Sequence, residues 1–152
     1  MTVLITGQEI ANLISARFPQ AVIEPSNQAA VIKSEFLVKI ADFLKNSPEL
    51  AYTYLNDVTA VDYYDYFEVV YRLTSLEHNK SLGLKIRTGG REDLQLPSVT
   101  TLWKGAVFME REIYDLMGIT FSGHADLKRI FLWEGFAGHP LRKDYLQETG
   151  QK

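Results

Sequence analysis

The chain has 152 residues, 46% hydrophobic and 23% charged, with a formal net charge of −3 and no cysteine. That length suits one compact domain, and the acidic balance argues against a nucleic-acid binder, which presents a basic face. Without cysteine there are no disulfides, no thiolate-held iron–sulfur cluster and no cysteine zinc site. No run of about 18 apolar residues could span a bilayer. No basic, apolar leader precedes Thr6, so no secretory signal is expected either.

Thr6 and Glu9 stand as a capping box, the hydroxyl and the carboxylate each meeting an orphaned backbone N–H, with Ile5 and Ile10 as the hydrophobic staple. Ile10, Leu13, Ile14 and Phe18 trace one apolar face until Pro19 stops the helix. Two β-branched runs, Ala21–Glu24 and Ala29–Lys33, read as a hairpin turning on Pro25, Ser26 and Asn27. Ser34 is placed to cap a second helix with Leu37, Ile40, Ala41 and Leu44 inside, and Ser47-Pro48 ends it. Tyr52–Val61, Phe67–Leu76 and Ser81–Arg87 then read as strands. In the last two, apolar residues alternate with others at period two, as a sheet with one covered face requires. Their short links favour an antiparallel meander.

A polar loop at Gly89, Gly90, Arg91, Glu92 and Asp93 precedes Pro97-Ser98. A helical pattern follows from Val99 to Met117, interrupted near Gly105, with Met109, Ile113, Leu116 and Met117 on one face. Gly118 is placed to end it in a left-handed turn. Residues 119–145 have too many glycines for a helix and too many aromatics for a solvated tail; such stretches in small domains are usually functional. The expected architecture is α+β: a small, mostly antiparallel sheet covered by two helices, then a third helix and an extended irregular C-terminal segment. The α+β domain is expected to run to residue 118, with 119–152 a partner-binding extension that is not fully ordered alone.

The densest polar cluster is Glu110-Arg111-Glu112-Ile113-Tyr114-Asp115. Carboxylates at 112 and 115, read as sharing a helix face, admit acid–base work or, with His124 and His139, a metal site. Against both stands a structural reading, in which Arg111 pairs with Asp115 four residues on and the acids are solvated or interface charges. The histidines lack the close helical spacing of zinc-protease motifs, which weighs against metal. No nucleophile turn, phosphate loop or dinucleotide fingerprint appears. Arg142-Lys143 beside His139 is a small basic group suited to an anion, a lipid head group or a partner's acid, and Asp144 follows at once.

Three segments carry a family resemblance: Glu110-Arg111-Glu112-x-x-Asp115-Leu116-Met117-Gly118-Ile119; Gly123-His124-Ala125-Asp126-Leu127-Lys128-Arg129-Ile130; and Gly135-Phe136-x-Gly138-His139-Pro140-Leu141-Arg142-Lys143-Asp144-Tyr145. Weaker agreement extends upstream through Leu55–Asp62, Val69–Leu73 and Leu96-Pro97-Ser98. The sequence resembles the 30-kilodalton subunit family of respiratory NADH:quinone oxidoreductase (complex I). Ala125 stands where that family usually has proline. Many members also continue past the position of Tyr145, so any contacts of that tail are expected to be shortened here.

The resemblance implies a cofactor-free structural subunit of the peripheral arm, on the cytoplasmic side of the membrane. It would pack against the large quinone-site subunit (the 49-kilodalton homologue), beside the small subunit that bears the terminal cluster. Iron–sulfur clusters, FMN and quinone would lie on partner chains. The implied partner-binding residues are Glu110, Arg111, Glu112, Asp115, Gly118, His124, Asp126, Arg129, Gly138, His139, Pro140, Arg142, Lys143 and Asp144, with Arg111 pairing either with Asp115 or with Asp126. The alternatives are the homologous subunit of a ferredoxin-linked photosynthetic complex or membrane-bound hydrogenase, and a stand-alone metal-dependent enzyme using Glu112, Asp115, His124 and His139.

Overall fold

A computed structural model describes residues 1–92, 94–133 and 135–145. After a short strand β1 (Val3–Leu4), helix α1 spans Gly7–Arg17. The Thr6 hydroxyl oxygen accepts the Glu9 N–H at 3.2 Å, so half of the capping box forms. The other half differs from expectation: the Glu9 carboxylate takes the Thr6 hydroxyl at 3.1 Å and not the Thr6 N–H. Ile10 and Ile14 are fully buried, and the helix closes at Phe18, just before Pro19.

Strands β2 (Val22–Ser26) and β3 (Ala29–Ile32) form the expected hairpin, but the turn lies further along, at Asn27-Gln28, where Gln28 takes a φ of 58°. Pro25 thus belongs to a strand. It is tolerated because β2 is the sheet edge, where a missing N–H leaves no ladder partner unserved. Gly7 explains how closely α1 approaches this hairpin: a Cβ there would lie 1.6 Å from the Ser26 carbonyl oxygen.

Ser34 does not cap a helix. It opens a 3-10 turn, Ser34–Phe36, which leads into α2 (Leu37–Asn46). The buried face of α2 is the expected one, Leu37, Ile40, Ala41 and Leu44. Strands β4 (Tyr54–Asp62), β5 (Phe67–Ser75) and β6 (Lys80–Arg87) form the antiparallel meander. Phe67, Val69, Tyr71 and Leu73 alternate inward with Leu82, Leu84 and Ile86, in one core with Ile10, Ile14, Ile40 and Leu44. Each such leucine or isoleucine, taken from water, contributes about 1.5–3 kcal/mol. Outward, Glu68 is held by Arg87 at 3.0 Å and Lys85 at 3.8 Å.

The strand order is β2-β3-β6-β5-β4, with β1 beside the start of β6. Both β3 and β1 run parallel to β6, so the N-terminal hairpin joins the meander through parallel pairing. A second, two-stranded parallel sheet pairs β7 (Gln95–Pro97) with β8 (Thr120–Ser122), which the sequence pattern did not reveal. Ile119 and Phe121 are buried in the common core, so core packing continues past residue 118. Between these strands lies α3 (Ala106–Met117), which packs against β4. Gly105 is its N-cap, and residues 99–103 form tight turns on the Val99 carbonyl in place of an earlier helical turn.

Gly7→Ala is expected to lower stability by about 3 kcal/mol, because backbone and not a flexible side chain occupies the space. Gly105→Ala, which meets only the tip of Met109 at 4.0 Å, is expected to stay within about 0.5 kcal/mol of the parent. Urea unfolding of the two variants distinguishes them.

Candidate functional site

Helix α3 buries charge as well as apolar surface. Ala106, Glu110, Ile113 and Met117 are buried, and Arg111 and Asp115 are buried beside them, whereas Met109 and Leu116 are only half-covered. The expected apolar stripe is therefore partly replaced by carboxylates. Glu112 is exposed, so it does not share a face with Asp115.

Each buried charge has its own task. Glu110 serves the turn before the helix: Ser98 Oγ donates to it at 2.7 Å and the Val99 N–H at 2.9 Å. Burial raises its pKa, and these two hydrogen bonds offset part of that rise. Asp115 serves the segment after the helix. Its Oδ2 accepts the N–H groups of Ile130 at 3.1 Å, Phe131 at 2.8 Å and Leu132 at 3.1 Å. Arg129 Nε lies 3.6 Å from Oδ1. Burial opposes the charge on Asp115, but the three N–H donors and Arg129 outweigh it and hold its pKa below the usual carboxylate range.

Arg111 takes the second of its two expected partners. Its Nη2 meets Asp126 Oδ2 at 2.9 Å and its Nε the Asp126 carbonyl at 2.8 Å; the helical pairing with Asp115 is not made. His124 braces the same bend. Its Nδ1 accepts the Asp126 N–H at 3.1 Å, which leaves Nε2 as the donor to the Val107 carbonyl at 3.0 Å. Further along, His139 Nδ1 lies 2.9 Å from the Asp115 carbonyl, and its ring packs over Gly118. Gly118 has a φ of 81°, and a Cβ there would lie 2.7 Å from the His139 ring. Arg129 Nη2 donates to the Gly138 carbonyl at 2.7 Å, and beyond the half-buried Pro140 the Leu141 N–H reaches Leu116.

The segment is tied down again at Asp62, which ends β4 and is buried. Arg91 grips it with both guanidinium nitrogens, and the Lys143 N–H donates to Oδ2 at 2.8 Å. Asp144 lies 3.0 Å from Arg91 and 2.8 Å from Arg142, and both guanidinium groups stack on Phe67. The Arg91 hydrogen bond is the main reason that the Asp62 carboxyl lies far below the usual range. Arg142 does the same for Asp144, whose pKa falls to about 2. Asp62 and Arg91 were not singled out from the sequence. The available signal was an acid at a strand end just before a tight turn, whose oxygen here takes the Tyr64 N–H.

The four residues of the metal reading are not gathered. Glu112 is exposed, Asp115 is enclosed by amides, and the ring nitrogens of His124 engage backbone. Among the described residues no three His, Asp or Glu side chains come together as a metal-binding group, and no helix is long and apolar enough to cross a membrane. The clamped segment does present large apolar side chains: Phe131 is 64% exposed, Trp133 68% and Leu141 58%.

Fold and site define an α+β domain that fixes a glycine-rich, aromatic strap across one end. The family model described as respiratory-chain NADH dehydrogenase, 30 Kd subunit, matches residues 30–151, and the chain belongs to that family. An NADH-quinone oxidoreductase subunit of Azorhizobium caulinodans is 39% identical over 147 residues, covering 92% of this chain and 69% of the relative. Its counterpart in Geobacter metallireducens is 43% identical over 127 residues, 80% of this chain and 76% of the relative. The chain spans 65% of the length of the corresponding subunit of Rhizobium meliloti, at 42% identity over 77% of this chain. Among solved structures, the trypsin-resistant fragment of Nqo5 superposes with a TM-score of 0.64 at 29% identity, covering 80% of this chain and all (100%) of the fragment. A chain of the membrane-bound sulfane sulfur reductase, an archaeal respiratory membrane complex, shares the fold with a TM-score of 0.72, at 21% identity over 95% of this chain and 88% of that one.

Asp115→Ala would take the shared acceptor from three backbone N–H groups and the buried counter-charge from Arg129, at a cost of about 3–5 kcal/mol. Hydrogen exchange is expected to show its largest loss of protection at residues 124–141. Acid is expected to act on the same segment. Asp62, Asp115 and Asp144 have folded pKa values below the unfolded value of about 3.9, so their contribution is complete above that pH. It is lost as pH falls toward about 2, the folded value of Asp144. Trp133 fluorescence followed from pH 5 to pH 2 should change before the far-ultraviolet circular dichroism of the sheet.

Proposed function

We propose that this chain is a cofactor-free architectural subunit in the peripheral arm of a proton-translocating NADH:quinone oxidoreductase, on the cytoplasmic side of the membrane. In this reading it packs against the large quinone-site subunit, the 49-kilodalton homologue, next to the small cluster-bearing subunit. The clusters, FMN and quinone lie on those and other chains. The observation that carries the reading is the exposure of Phe131, Trp133 and Leu141 on a backbone fixed by buried charges. Large apolar groups held at a surface in this way suit a partner interface. The relatives from Azorhizobium and Geobacter are subunits of NADH-quinone oxidoreductases, which supports the same assignment. Buried Asp62, Glu110 and Asp115 each hold backbone or guanidinium groups, which suits scaffolding.

Native electrophoresis of gently solubilised membranes, with mass spectrometry of the band holding this chain, tests the proposal. Co-migration with cluster-bearing, diaphorase and membrane subunits is the expected result. Hydrogenase or ferredoxin-linked companions would assign the chain to a related membrane complex, and a chain found alone and carrying metal would overturn the subunit reading. Arg111→Ala removes the grip on Asp126 and is expected to lower the yield of assembled complex while the isolated domain stays folded. Normal yield with slowed turnover would point instead to a catalytic role.

A further inference from the structure

Arg129 has donors left over. A guanidinium carries five N–H groups. Here Nη2 serves the Gly138 carbonyl, Nε faces Asp115 across 3.6 Å, and the group stacks on Phe136. Nη1 is buried with no acceptor among the described residues. Of the nearby acids, Asp115 faces the guanidinium with Oδ1, which is buried and makes no hydrogen bond of its own. The three amides occupy only its Oδ2, and Asp126 Oδ2 is shared between Arg111 and Lys128.

Arg129 forms part of the wall of a cavity of about 450 Å³ between α3 and the strap. Lys128 and Tyr114 bring further polar groups to that wall, Leu127 and Leu132 make it partly apolar, and no carboxylate stands among its described lining residues. Phe131 and Trp133 lie exposed on the same stretch of chain. Two cations and a phenol over an apolar floor favour a carboxylate attached to something greasy over a free, fully hydrated anion. The charge distribution agrees. Residues 123–145 carry four Lys and Arg against three Asp and Glu, although the whole chain has a net charge of −3.

We propose that the cavity walled by Tyr114, Lys128 and Arg129 is a socket for an acidic side chain of the neighbouring subunit, an Asp or Glu flanked by apolar residues that cover Phe131 and Trp133. This rests on the subunit reading above and gives it a specific chemistry. The incoming carboxylate pairs with the exposed Lys128 and brings a second negative charge to the Arg129 guanidinium, whose Nη1 has no acceptor among the described residues. A socket of this kind selects its partner as well as holding it, because a lysine in the carboxylate's place would be repelled by Lys128 and Arg129, and a bare apolar group would gain nothing from either charge.

Carbodiimide treatment of the gently solubilised complex tests this directly, since the reagent condenses an amine with a touching carboxylate, losing water and forming an amide. The expected product is a link from Lys128 to an Asp or Glu of another chain. An internal link from Lys128 to Asp126, 3.3 Å away, should form alongside it and shows that the reagent reached the site. Lys128→Arg should abolish both links and leave the complex assembled. Lys128→Glu should cut retention of the chain on the complex after a salt wash by about tenfold or more. The internal link without any link to another chain, together with normal retention of Lys128→Glu, would overturn the socket. It would do so even where co-migration upholds the subunit reading. Binding of the unsubstituted chain to phosphatidylglycerol vesicles that Lys128→Glu abolishes, with no link to another chain, would assign the cavity to a lipid phosphate and overturn it equally. A chain that never co-migrates would remove both proposals.

Discussion

A buried carboxylate keeps its charge only where donors stand in for the water it has lost. At Asp115 the answer is three successive backbone N–H groups, and that requirement shapes the last part of the chain. For residues 130–132 to aim their amides at a single oxygen, the backbone there must curl tightly around it. The side chains of that curl then project away from the carboxylate, which is why Phe131 stands in solvent and not in the core. Arg129, the residue just before the curl, is drawn in by the same charge and carries the Gly138 carbonyl with it. One acid on a helix thus fixes the conformation of residues remote in sequence, without a helix or strand among the described residues of the strap after Ser122.

Helix α3 acts as a distributor because its two buried acids point to different places. Five residues along a helix correspond to a rotation of about 140°, so Glu110 and Asp115 cannot serve the same loop. Glu110 meets the turn at Ser98-Val99, and Asp115 meets the strap. Their electrostatics differ accordingly. Glu110 has two donors and no cation beside it in hydrogen-bond contact, and burial prevails; Asp115 has three donors and Arg129, and the charge prevails. Arg111 extends the same arrangement to Asp126, while Asp62 provides a separate anchor at the far end of the strap.

The regular part of the fold was legible because its cause is periodic. Leu37, Ile40, Ala41 and Leu44 recur at helical spacing, and Phe67, Val69, Tyr71 and Leu73 at strand spacing, and those intervals place them inside. The parallel pairing of β7 with β8 was not legible, since three residues are too few to show a period and their partners lie across a whole helix. Nor was the inward face of α3, where hydrophobicity nominated Met109 and Leu116 while Glu110 and Asp115 took the buried places. Periodicity assumes that charge seeks water. It fails where backbone donors replace the water; the strap as a whole stood out by its glycine and aromatic content, and Asp126 and Arg129 within it only through family resemblance. Asp62 shows the same failure at a strand end: an acid there reads as solvated until Arg91 and the Lys143 amide are seen around it.

Pro25 has a consequence at the opposite end of the sheet from β4. An edge strand offers a row of unused donors and acceptors that any passing strand can adopt. In β2 that row is broken at Pro25, and the register slips between Val22 and Glu24, so a second chain laid along it would find its hydrogen bonds out of step. The charged neighbour Glu24, tethered to Arg87, adds a cost for any apolar strand that tries. Crowding of many copies therefore gives this side of the sheet little to polymerise through. Sticky apolar surface can be concentrated on the strap, some distance away, without the sheet itself becoming a seed for aggregates.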